Sequence, residues 1–108
     1  MGKRGDAPTG TEVSLEKELA LLKVSSKNLQ QKTQVFYVSF LQMKPRERAQ
    51  NLQDIQREVQ RIEQFLTRAK ASGVTNYGIR YSIDTFQQSF QIYLGRWKRF
   101  ERSLDQAS

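Results

Sequence analysis

Apolar residues in the last quarter of the chain recur at a spacing that suits a helix. Ile83, Phe86, Phe90, Tyr93, Trp97, Phe100 and Leu104 alternate steps of three and four residues. An α-helix gathers such positions into one stripe. A stripe this aromatic needs partner helices to cover it. Two earlier segments supply them with the same spacing. Leu15, Leu19, Leu22, Ser26, Leu29, Thr33, Phe36, Phe40 and Met43 form one seam, and Leu52, Ile55, Val59, Ile62, Leu66 and Ala69 form another. Ser26 and Thr33 interrupt the first seam, so the middle of that helix buries less apolar surface.

Punctuation residues divide the seams. Thr11 is an N-cap candidate, with Glu12 and Glu16 suited to the positive end of a helix. Lys44-Pro45 stops the first helix and starts the second, because proline disfavours helix in the residue before it and fits a first turn. Gly73 reads as a C′ stop. Ser82 reads as the cap of the third helix, with Asp84 in its first turn. The expectation is an all-α fold, an elongated antiparallel up-down-up three-helix bundle with coiled-coil-like heptad packing. Its helices cover about residues 11–43, 45–72 and 82–105 of a single domain at 11–108, after a disordered tail at 1–10 rich in glycine and charge. Residues 74–81 are apolar for a surface loop. They read as a plug over the open end of the core, or else as a contact loop.

One short run departs from the one-seam rule. Residues 35–41 are apolar nearly all round, which fits the most enclosed part of a bundle or a contact with another chain. With Phe36 and Phe40 on the seam, Val35, Tyr37, Val38 and Leu41 form a self-association collar, the expected place for any homo-oligomer.

Composition narrows the chemistry. The 108 residues include neither Cys nor His. Disulfides, thiol chemistry and Cys/His zinc sites are excluded, and the commonest general acid–base group is absent. Gly73 and Gly78 fit neither a P-loop nor a GxGxxG pattern. The acids at Asp54 and Glu58 sit three residues before Arg57 and Arg61, as helix-surface ion pairs do. The reading is of a protein that is not an enzyme and takes no cofactor or metal. The run at 35–41 is far too short to cross a bilayer and no signal peptide is apparent. The expected location is cytoplasmic, or nuclear in a eukaryote, neither secreted nor transmembrane. Arg4-Gly5-Asp6 resembles an adhesion motif, but three common residues carry little weight.

Charge is the informative surface feature. The formal net charge is +7, which favours acidic partners. An up-down-up topology sets the start of the second helix beside the end of the third. Lys44, Arg46 and Arg48 then meet Arg96, Lys98, Arg99 and Arg102, against Glu47 and Glu101. The opposite pole would hold Glu12, Glu16, Glu18 and Asp84, making the rod electrically polar. The helix dipole favours the cations of the third helix but not those at the start of the second. Ile92 and Gly95 lie off the seam nearby, and a glycine inside a helix costs about 1 kcal/mol relative to alanine. A partner approaching this face closely would account for it, and so would simple tolerance of a glycine there. The leading expectation is a helical protein-interaction module, a small subunit or adaptor that binds an acidic protein partner through the basic pole. The alternative is a nucleic-acid-binding accessory protein. It has no helix-turn-helix, RNP or zinc motif, so its binding would be sequence-independent and salt-sensitive. Membrane-surface binding is disfavoured, because no helix joins a basic face to a wide exposed apolar one.

Overall fold

The computed structural model describes residues 7–107. The Arg4-Gly5-Asp6 triplet and most of the expected tail lie outside the described residues. Three α-helices follow in order: α1 at Gly10–Ser39, α2 at Pro45–Ala71 and α3 at Tyr77–Ala107, with a short 3₁₀ turn at Phe40–Gln42 between the first two. No strand occurs among the described residues, and each helix contacts both others. The fold is an all-α three-helix bundle with extents of 61 × 21 × 18 Å.

Cross-helix partners give the directions. Glu18, Ser25 and Lys32 of α1 meet Arg68, Arg61 and Asp54 of α2, so the numbers fall along one helix as they rise along the other. Thr33, Phe36 and Phe40 meet Tyr93, Trp97 and Phe100, so α1 and α3 rise together.

The helix ends correct the sequence reading in three places. Thr9, not Thr11, caps α1. Its hydroxyl accepts from the Glu12 amide at 3.1 Å, and the Glu12 carboxylate accepts from the Thr9 amide at 2.9 Å, a reciprocal capping box. α1 stops at Ser39 rather than 43, tightening into the 3₁₀ turn before Lys44 turns extended ahead of Pro45. α3 begins at Tyr77, five residues before the expected Ser82 cap. Asn76 Oδ1 accepts from the Ile79 amide at 3.0 Å, doing what Ser82 was expected to do. Most of the expected loop at 74–81 is therefore helix. Ile79 is buried, one step of four before Ile83, while Tyr77 and Tyr81 face solvent. Gly73 does end α2, at φ +66°.

The core follows the seams and adds to them. Leu15, Leu19, Leu22, Leu29 and Phe36 from α1 meet Ile55, Val59, Ile62 and Leu66 from α2 and Ile83, Phe86, Phe90 and Trp97 from α3. Phe65 and Leu94 are also buried, each one position off its seam. The polar interruptions are satisfied. Thr33 is buried and donates to the Leu29 carbonyl at 2.7 Å. With that proton committed, the Tyr93 hydroxyl is the donor in its 2.8 Å contact with Thr33. Burial pushes the Tyr93 hydroxyl up to about 12.

Candidate functional site

The end of the rod where α1 stops is built on rings. Phe36 packs against Phe40 at 5.4 Å and Phe100 at 5.7 Å between centroids, and Trp97 lies 5.9 Å from Phe100. Tyr37 stacks on Trp97 and sits 4.6 Å from Phe100. This corrects the collar: Tyr37 is half-buried against the core, and burial raises its pKa. Val35, Val38 and Leu41 are exposed, so the run at 35–41 is not the most enclosed part of the bundle.

The ring cluster fixes α2 and α3 to the same end. Arg48 of α2 lies 4.5 Å over the Phe40 ring, and Phe40 meets Phe100 of α3 edge-on. The cations gathered there have different employments. Arg48 Nε donates to the Phe40 carbonyl at 2.7 Å and Nη2 to the Leu41 carbonyl at 3.3 Å. It closes off α1 and is a structural residue rather than a free contact. Lys98 leans along α2 to Glu63 at 3.9 Å. Arg99 reaches back to the Gly95 carbonyl at 3.4 Å. Lys44, Arg46, Arg96, Arg99 and Arg102 are exposed and form no ion pair among the described residues. Glu47 and Glu101 at this end are engaged with uncharged donors. Glu47 accepts from the Lys44 amide at 3.1 Å, and Glu101 from Gln56 at 2.6 Å.

The other end is not its negative mirror. Glu12 is buried, and its second oxygen accepts from the amides of Thr75 at 2.6 Å and Asn76 at 3.1 Å. Amide donors from Thr9, Asn76 and Thr75 hold its carboxyl down to about 2. Glu18 takes two bonds from Arg68, at 3.3 and 2.7 Å. Glu16 and Asp84 remain exposed there, but Lys70 and Arg80 stand close to Asp84 around the same hollow. The gathering of seven cations within residues 44–48 and 96–102, more than opposite poles, distinguishes the basic end.

A groove that the seams did not announce runs along α1 and α3. Its wider part, about 550 Å³, is floored by Ser26 and Phe86 and flanked by Lys23, Val24, Lys27 and Tyr81. Beyond Gln30 and Ser89 it continues past Tyr93 and Ile92 to Arg96. Three cations line it and no acid does. The sequence signal was the run of small residues Ser26, Ser82, Thr85 and Ser89, which leaves the two helices incompletely filled on this side. Gly95 and Ile92 lie exposed on α3, and a Cβ added at Gly95 would meet nothing within 4 Å. Bundle packing does not require that glycine.

Among the described residues no cluster of three or more Asp, Glu, Cys or His could hold a metal ion. No helix there is long and apolar enough to cross a membrane. No family model, curated protein or solved structure matches this chain.

Proposed function

We propose that this protein is a non-enzymatic helical interaction module, a small subunit or adaptor that binds an acidic protein surface through the basic end of the rod. One observation carries the reading. Five cations at that end, Lys44, Arg46, Arg96, Arg99 and Arg102, make no ion pair among the described residues. Lys17, Lys23, Lys27, Lys70 and Arg80 also make none, but they share their part of the rod with the exposed acids Glu16 and Asp84, whereas Glu47 and Glu101 at the basic end already accept from uncharged donors. Unpaired like charges held together cost stability in the free protein and gain it back when an acidic surface arrives. The acid-free groove that ends at Arg96 extends the same preference along α1 and α3.

The test separates site from net charge. Arg46, Arg96, Arg99 and Arg102 are reversed to Glu in one variant, and Lys17, Arg57, Lys70 and Arg80, which line neither the pole nor the groove, in the control. Arg48 is spared because it holds the end of α1. Tagged wild type and both variants are purified from cell extract with and without nuclease. A protein that accompanies wild type and the control after nuclease, but not the pole variant, supports the reading. Equal retention by both variants removes the pole as the site. A companion that disappears with nuclease, and whose binding falls steeply with salt, turns the assignment to nucleic acid.

A further inference from the structure

α1 differs from the other helices in being apolar on two opposite faces. Its inner seam lies in the core. On its outer face Leu21, Val24, Asn28, Gln31, Val35 and Val38 again alternate steps of three and four. All six are exposed, and the four apolar ones are 57–71% accessible. Scattered apolar side chains on a surface need no explanation. Four of them on one heptad stripe form a second coiled-coil seam without an occupant.

The stripe states what occupies it. Read in either direction it runs apolar, apolar, amide, amide, apolar, apolar. The positions mirror about the point midway between Asn28 and Gln31: Leu21 answers Val38, Val24 answers Val35, and Asn28 answers Gln31. A surface of this kind is complementary to itself under a two-fold axis. We propose that the outer face of α1 binds a second copy of this chain, antiparallel, with the two-fold axis between Asn28 and Gln31. The amides then pair across the axis, and sliding by a heptad would set them against Val or Leu, which fixes the register.

Flanking charges choose the direction. In the antiparallel pairing Lys27 lies opposite Gln34 of the second copy and Lys32 opposite Ser25. No like charges face each other. In a parallel in-register pairing Lys27 would face Lys32 twice, which is repulsive. The salt bridge from Lys32 to Asp54 at 3.3 Å further limits its reach toward a second copy. The antiparallel dimer sends the two basic ends in opposite directions, so one dimer presents both. It stands whatever those ends bind.

The chain has no cysteine, which makes cross-linking clean. Leu21→Cys and Val38→Cys are each made singly, at exposed positions where the fold does not depend on the side chain. In the antiparallel dimer Leu21 of one copy faces Val38 of the other, while the two copies of position 21 lie about 25 Å apart along the axis. Under mild oxidation a mixture of the two variants is expected to give the mixed disulfide dimer, with each variant alone remaining without a disulfide. Sedimentation of wild type is expected to show a reversible dimer that Leu21→Glu with Val38→Glu abolishes. Self-linking of Leu21→Cys as efficient as mixed linking overturns the antiparallel geometry. A wild type that stays monomeric up to about 1 mM overturns the dimer. A dimer that survives the double glutamate variant places the contact elsewhere and overturns the assignment of this face.

Discussion

Glu12 shows how much one side chain can hold together. It closes the capping box at the start of α1 and ties that start to the two residues before α3. Buried carboxylates persist only when donors satisfy them, and here three amides do. Its folded pKa of about 2 lies below the ordinary 4.5. The sign follows from linkage: a depressed carboxyl stabilises the fold above its unfolded pKa, and the contribution is lost as pH falls through the folded one. Glu12→Gln replaces one acceptor oxygen with a donor that faces amide donors. The variant is expected to melt below wild type at pH 7, and the two melting temperatures to converge as pH falls from 4.5 toward 2. Thermal melts by circular dichroism across that range check it. A constant difference down to pH 2 would show that the carboxylate charge is not what the amides hold.

Each helix ends by its own device. α1 begins on a capping box and ends under the Arg48 guanidinium; α2 begins at Pro45 and ends at a left-handed Gly73. These ends are local solutions to the unpaired amides and carbonyls of any helix. Gly95 in α3 has no such purpose: it sits mid-helix with open space where a Cβ would go. Gly95→Ala is expected to raise stability by about 0.4–1 kcal/mol, through the lost freedom of the unfolded chain. Denaturant midpoints measure this. Affinity for any protein recovered with wild type is read on the same variant. A partner seated closely on this face of α3 loses affinity while the fold gains stability, and unchanged affinity means that the partner approaches elsewhere.

At the scale of the whole molecule the shape decides what assembly looks like. The monomer is a rod 61 Å long. End-to-end association through the ring-built end would nearly double that length. The side-by-side pairing on α1 does not, because its axis passes close to the middle of the rod. The longest dimension is expected to grow by no more than about 10 Å on dimerisation, while the cross-section widens. Small-angle scattering across a concentration series reads both. A dimer near twice the monomer length would place the contact at the ends. In the proposed side-by-side dimer the basic ends would stay at the extremities, where two acidic surfaces could be engaged at once with avidity above the affinity of either end.

Local pattern was enough to place much of this architecture. The three seams, the break at Pro45 and the stop at Gly73 depend on periodicity and on the backbone limits of proline and glycine, which act within a few residues. Val35, Val38 and Tyr37 mark the limit of such reading. All three are off-seam apolar residues in one run, yet Tyr37 lies on Trp97 while the two valines face solvent. Ser82 was expected to start α3, but Asn76 has the same capping chemistry, and the burial of Ile79 takes the helix back to it. The basic residues were equally visible in the sequence and equally alike. Only the fold gave Arg48 two carbonyls at the end of α1, gave Lys98 a glutamate on α2, and left Arg46 and Arg102 without an ion pair among the described residues. A seam tells which face of a helix is apolar because side-chain spacing and backbone geometry are local. What lies on its flanks depends on which other helix the packing brings alongside, and that is a property of the assembled bundle.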